Sequence, residues 1–202
     1  MLEKQKIESG EKGILFESQK LERFTQISPL TAILFYGFIW CLLLFLNNTY
    51  TSNGFTKSAG IYLFALLFWT FFEYMAHRYI FHFITDSPRV KTFHRFIHGI
   101  HHEFPRDVKR LIMPPLPGLS IILLLFGTFY LFMDLNTFVF LAGFINGWAI
   151  YVSIHYVIHA YKPIKGFKIL WRHHAKHHYQ QGDKAFGVSS PFWDWFFRTL
   201  PN

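Results

Sequence analysis

The chain has 202 residues, 51% of them hydrophobic, 21% aromatic and 16% charged, with a net charge of +8. That length allows one domain or one membrane unit with tails, and the apolar share fits a chain solvated partly by lipid rather than an ordinary soluble domain. Cys41 is the single cysteine, which excludes a disulfide framework and a thiolate metal site.

Residues 1–28 mix Lys and Glu and show no early apolar core, so no cleavable signal peptide is expected there and the segment reads as a cytosolic lead, with a surface helix possible within it. Residues 29–46 carry no charge and are long enough for a bilayer core of ~30 Å at ~1.5 Å per residue. A polar turn follows. A second apolar span covers 58–77 and ends on Glu73 and His77. Residues 83–112 form a soluble excursion rich in Arg, Lys and His. Spans three and four are expected at 115–133 and 135–155, and 161–202 is a tail that is basic, then aromatic.

Lys and Arg set the orientation. The N-terminal segment holds five, the middle excursion six and the tail seven, whereas the two opposite loops hold only Lys57. By the positive-inside rule, four spans then leave both termini and the excursion in the cytoplasm. The same distribution argues against a nucleic-acid partner. The fold class expected is an all-α integral membrane protein of four transmembrane helices under a cytoplasmic helical cap, 83–112 with 161–202.

All twelve histidines fall on that cytoplasmic side. Trp171 to Tyr179 contains His174, His177 and His178 as H-x-x-H-H, and His98, His101 and His102 repeat the pattern. On a helix, i, i+3 and i+4 share a face, so each motif is expected to supply half of one coordination shell. His155 and His159 are one turn apart. His77 and His82 are five apart, about 140° on a regular helix at about 100° per residue. That pair serves either two different metals or a locally distorted helix end. Ten imidazoles are too many for one ion and suit two ions with about five nitrogens each. His94 and His173 lie outside the spacing, although His94, at i−4 from His98, could share its face.

Imidazole suits Zn, Cu, Fe and Ni. A structural zinc needs only four ligands. Two nitrogen-rich sites beside apolar helices point to dioxygen activation by iron, with O2 as co-substrate. The affinity order lets zinc replace iron in overexpressed protein.

The residues from Glu73 to Leu200 resemble the membrane-bound fatty acid hydroxylase superfamily, and within it fatty acid 2-hydroxylases. The matching pieces are His77-Arg78 through His82, His98 through His102 with Pro105, Asp107 and Arg110-Leu111, Pro114-Pro115, His155 through His159, and His174 through His178. The ending Phe186-Gly187-Val188-Ser189 with Trp193-Asp194, Phe197 and Thr199 completes the match. The resemblance implies a hydroxylase domain over 29–202 whose ten spaced histidines hold two metals. It implies O2-dependent hydroxylation at C-2 of a long acyl chain, free or in a sphingolipid-like amide. The chain departs from many relatives in showing no haem-binding His-Pro-Gly-Gly stretch of a cytochrome b5 domain. Electrons are therefore expected from a separate cytochrome b5-like or ferredoxin-like donor. It also has Tyr151-Val152 where relatives tend to have Tyr-Asp, and Tyr151 is the candidate substrate contact.

Histidine ligands usually donate their second N–H to a carboxylate or carbonyl. Glu73, Asp107 and Asp194 are the candidates by position, with a snorkelling interfacial acid as the other reading of Glu73. The aromatics of 186–197 read as an interfacial belt rather than a substrate contact. Competing functions are a sterol or carotenoid oxygenase or desaturase and, in another class, a metal transporter or sensor. Transporters place ligands near the bilayer midplane, which this histidine placement does not match. The bacterial inner membrane and the endoplasmic reticulum both fit the topology, and the absence of a dilysine-type ending favours the former.

Overall fold

The computed structural model describes residues 12–202, so part of the lead segment expected at 1–28 lies outside the described residues. Among the described residues the protein is all-α. A short helix α1 (Gln19–Arg23) leads into α2 (Pro29–Tyr50), where the Ser28 hydroxyl accepts the Thr31 amide at 3.1 Å and Pro29 occupies the first turn. α3 (Phe55–Ala76) runs directly into a π-helical turn, His77–Phe81. The cap follows: α4 (Pro88–His94), a second π turn (Arg95–Gly99) and α5 (Ile100–Glu103). α6 (Pro115–Met133) and α7 (Thr137–Ala160) are joined by a 3-10 turn at Asp134–Asn136. α8 (Lys168–Tyr179) and α9 (Phe192–Phe196) complete the cap.

Among the described residues, three helical stretches are long and apolar enough to cross a membrane: Pro29–Tyr50, Phe55–Phe81 and Val108–Ala160. The third is 53 residues long and folds back on itself. Phe126 meets Phe138 at 5.3 Å between ring centroids and Phe129 meets Phe144 at 6.0 Å. A straight helix would separate those positions by about 18 Å or more. α6 itself buries only Gly118, although every side chain from Leu119 to Met133 is uncharged. Leu131 and Phe132 are 80% and 82% exposed. Such a surface is suited to lipid and not to water.

α7 is the central helix and buries twelve of its 24 residues. Its partners in the main core are Ile39 and Leu43 of α2 and Ala65 and Trp69 of α3. The α3–α7 crossing is close because Gly143 and Gly147 form a G-x-x-x-G face. A Cβ at Gly147 would lie 2.5 Å from the Trp69 Cβ, and one at Gly143 would collide with the Tyr62 carbonyl oxygen. This close approach aligns the C-terminal ends of α3 and α7, where His77 and His155 sit.

The described part of the lead segment lies over the cap. Glu22 accepts the amides of Leu15 and Phe16, and its carboxylate pairs with Arg110. Arg110 also bonds Asp107 at 3.1 Å and donates to Thr25 and Gly13. Gly13 is pressed so tightly onto α5 that a Cβ would come within 2.7 Å of Ile100.

Candidate metal centre

The π turn decides the first histidine pair. In His77–Phe81 the amide of His82 bonds the carbonyl of His77, five residues back, at 3.2 Å. That wider turn brings two residues five apart onto one side, and the Nε2 atoms of His77 and His82 lie 3.2 Å apart. Of the two readings left open by their spacing, the distorted helix end is the one observed. His155 and His159 need no such device, because α7 remains regular to Ala160 and their Nε2 atoms are 3.0 Å apart.

Ten histidines assemble into two groups, each with its ligand atoms within 4.8 Å of one another: His77, His82, His98, His102 and His177, and His101, His155, His159, His174 and His178. The expectation that each H-x-x-H-H motif furnishes half of one shell is corrected here. His98 and His102 join the first group while His101 joins the second. His174 and His178 join the second while His177 joins the first. The reason is angular. Positions i and i+4 differ by about 40° around a helix, but i+3 lies about 100° from i+4, so the middle histidine looks sideways. Two such helices facing each other exchange their middle histidines.

The donor set fits two metal ions. In the first group, the Nε2 of His98 is 3.1 Å from that of His77 and 2.9 Å from that of His102. In the second, His174 Nε2 is 3.0 Å from those of His155 and His178 and 2.8 Å from that of His159. Both ring nitrogens of His101 and the Nε2 of His177 are buried without a hydrogen-bond partner among the described residues. Buried unpaired nitrogens are costly unless a cation takes their lone pairs, and one such ring stands in each group. Burial, then the neighbouring imidazoles, hold His82 down to about 3, and burial holds His177 at about 4. His98, His101, His174 and His178 lie well below the ordinary histidine value for the same two reasons. These rings are neutral and ready to ligate.

A loop, 184–189, orients two of the grouped histidines. A carbonyl only accepts, so the Nδ1 of His77 donates to the Phe186 carbonyl at 2.5 Å and that of His177 to the Lys184 carbonyl at 2.7 Å. Each ring then turns its Nε2 inward. Ala185, between those carbonyls, is fully buried and left-handed at φ 59°, a strained conformation for a non-glycine residue. Two carboxylates hold the loop. Asp194 accepts the amides of Phe186 at 2.9 Å and Gly187 at 2.8 Å, the Thr199 hydroxyl at 2.8 Å and His173 Nε2 at 3.0 Å. Glu73 accepts the amides of Val188 at 2.8 Å and Ser189 at 2.9 Å, and the Ser189 hydroxyl. Burial alone would raise the Asp194 carboxyl, but these hydrogen bonds bring it below the ordinary range.

Glu73 and Asp194 thus bond the loop that holds His77 and His177, and neither bonds a ligand histidine directly. Asp107 does not stand with them. Its carboxylate pairs with Arg110, three residues on within the cap, so the expectation that it orients a histidine is corrected. His173 bonds Asp194 and lies outside both groups, as its spacing implied. His94 is also outside both groups, its Nδ1 packed where a Gly99 Cβ would fall at 2.8 Å. Tyr151 stacks on the His155 ring at 5.6 Å and packs against Trp69 at 5.9 Å. The aromatic tail divides. Phe186 is buried against His77, His82 and His177, whereas Phe192, Trp195 and Phe196 are exposed. The role of the Lys184 and Phe186 carbonyls was not legible from spacing. Gly187 was the available signal, since a Cβ there would meet Asp194 Oδ2 at 2.9 Å and collide with the Ser190 carbonyl.

Comparison with known proteins follows the same residues. The family model described as fatty acid hydroxylase matches residues 62–199. Mouse fatty acid 2-hydroxylase is 37% identical over 150 residues, covering 70% of this chain and 39% of its own length. Dihydroceramide fatty acyl 2-hydroxylase FAH1 of Arabidopsis thaliana is 36% identical over 168 residues, covering 81% of this chain and 68% of its own. The chain thus spans about two fifths of the mouse relative. A solved structure of full-length scs7p, in which only the hydroxylase domain is visible, superposes with a TM-score of 0.78 at 26% identity. The match covers 90% of this chain and 70% of that one.

Proposed function

The chain belongs to the fatty acid hydroxylase family, and from that premise we propose that it hydroxylates C-2 of a long acyl chain, free or in a sphingolipid-like amide, using O2. The observation that carries this reading is the pair of five-histidine groups at one end of an apolar helical bundle. The names of the relatives, fatty acid 2-hydroxylase and dihydroceramide fatty acyl 2-hydroxylase, support C-2 as the position and an acyl chain as the substrate.

The ten histidines would hold two iron ions, which supply the oxidising power that side chains lack for an unactivated C–H bond. The protein's own residues do the rest. The Lys184 and Phe186 carbonyls fix the tautomers of His177 and His77, so both present Nε2. Phe186 closes over the rings of His77, His82 and His177 and screens that group from water. Tyr151, stacked on His155, is placed to contact the acyl chain and help stop C-2 beside the second group. Two external electrons per turnover are required, and a separate cytochrome b5-like or ferredoxin-like protein is their source.

In the bilayer we read α2, α3, α6 and α7 as four spans, since the third apolar stretch doubles back at Asp134–Asn136. Both termini and the cap then face the cytoplasm by the Lys and Arg distribution, of a bacterial inner membrane or of the endoplasmic reticulum.

The test is mass spectrometry of lipids from cells expressing the wild type, His177→Ala or His101→Ala. The wild type is expected to add 2-hydroxy acyl lipids and each variant to lose them by more than a hundredfold. Undiminished product from either variant would overturn the assignment.

A further inference from the structure

A second surface lies on the side of α8 that faces away from the two histidine groups. There α8, α9 and the residues after α9 enclose an open groove of about 540 Å³. Its walls are apolar at Ile169, Phe192, Trp195 and Leu200, cationic at Arg172 and Lys176, and His173 lies along it. Ile169, Phe192 and Trp195 are 63%, 51% and 64% exposed. Lys176 is partly satisfied by the Asn202 carbonyl, whereas Arg172 makes no ion pair among the described residues.

The depth of the groove is fixed by α9. The Trp193 indole donates to the Thr70 hydroxyl at 3.0 Å, and its ring meets Phe71 at 5.0 Å. Thr70 and Phe71 belong to the uncharged part of the second apolar stretch, before Glu73 and His77. The exposed aromatics of α9 are therefore level with the boundary of the bilayer, where Trp and Phe favour the headgroup region. The approach to α8 has the same character. Tyr161, Ile164 and Phe167 are exposed and interleaved with Lys162, Lys165 and Lys168, the composition of a segment lying on an anionic membrane surface.

We propose that this groove binds one anionic phospholipid of the same leaflet, its phosphate on Arg172 and Lys176 and its acyl chain against Phe192, Trp195 and Leu200. The volume suits a lipid headgroup with its first methylenes. Charge and depth select this occupant over a water-soluble acidic protein, because the apolar wall lies level with the lipid. The lipid would brace α8 against α9 where His173 and Asp194 already join them.

The experiment uses the full chain in detergent, titrated with phosphatidylglycerol or phosphatidylcholine, and reads the melting temperature and lipid retention by native mass spectrometry. Phosphatidylglycerol is expected to raise the melting temperature and phosphatidylcholine is not. Arg172→Glu should weaken retention at least about fivefold, since one cation at the surface contributes about 1 kcal/mol. Arg172→Lys should restore it. Lys57→Glu, the same charge change on the opposite side, should leave it unaltered. Equal stabilisation by both lipids, undiminished retention by Arg172→Glu, or salt-sensitive capture of a soluble acidic ferredoxin with no lipid dependence would overturn the proposal. None of these readouts uses hydroxylation, so the result stands apart from the proposed reaction. If Arg172→Glu fails to fold, Trp195→Ala, an exposed position, provides the same comparison.

Discussion

The Nδ1 of His77 donates to the carbonyl oxygen of Phe186 across 2.5 Å, joining the end of the second apolar stretch to a loop 109 residues later. That bond sets the tautomer of a candidate ligand from outside its own helix. The loop is in turn held by Glu73, one helical turn before His77, so the same helix both carries His77 and anchors what orients it.

Removing Glu73 should therefore act on the metals through the loop. Glu73→Ala leaves the amides of Val188 and Ser189 without their acceptor, at about 1–3 kcal/mol each if buried. The first histidine group should lose metal affinity by about 10–100-fold, the range for groups that orient ligands. Glu73→Gln, which keeps Oε1 as an acceptor, should lose less. Metal analysis of the purified variants measures this, and unchanged affinity in Glu73→Ala would remove the loop from the account.

The exchange of middle histidines makes a sharper prediction. His98→Ala with His102→Ala strips two ligands from the first group alone, and the second ion should remain. His98→Ala with His101→Ala damages both groups, and both ions should be lost or weakened. If each motif served one ion, the two double variants would have the same metal content.

Asp107 and Arg110 should affect stability and leave the metals in place. Asp107→Asn weakens a buried pair inside the cap whose Arg110 also bonds Glu22, Thr25 and Gly13 of the lead segment, and its unfolding temperature should fall. Removing one charge of such a pair costs up to about 3–5 kcal/mol. Metal content should stay at the wild-type level in protein held below that temperature. Metal loss from the folded variant would return Asp107 to the metal centre.

The crossing of α3 and α7 gives a fourth prediction. Gly147→Ala places a methyl against the Trp69 Cβ and should cost about 1–3 kcal/mol by overpacking. Gly127→Ala, on α6 where an added Cβ would meet nothing within 4 Å among the described residues, should be neutral. Thermal melts of the two variants compare them directly.

Much of this protein is written in local pattern. Uncharged runs long enough for a bilayer, Lys and Arg concentrated in alternate connecting segments and histidines at helical spacing are properties of sequence that survive any arrangement of the helices. They place the apolar helices close to where they are found, pick out all ten grouped histidines and leave His94 and His173 aside. Tertiary structure decides what spacing leaves open. The five-residue gap from His77 to His82 becomes a pair only because the chain takes a π turn there. Which histidine joins which group depends on two helices facing each other, with the His102 and His178 ring centroids 4.2 Å apart. Asp107 and Asp194 are both acids near histidines in sequence, yet one meets Arg110 and the other meets the amides of a loop. Periodicity states which way a side chain points from its own helix, and only packing supplies what it meets.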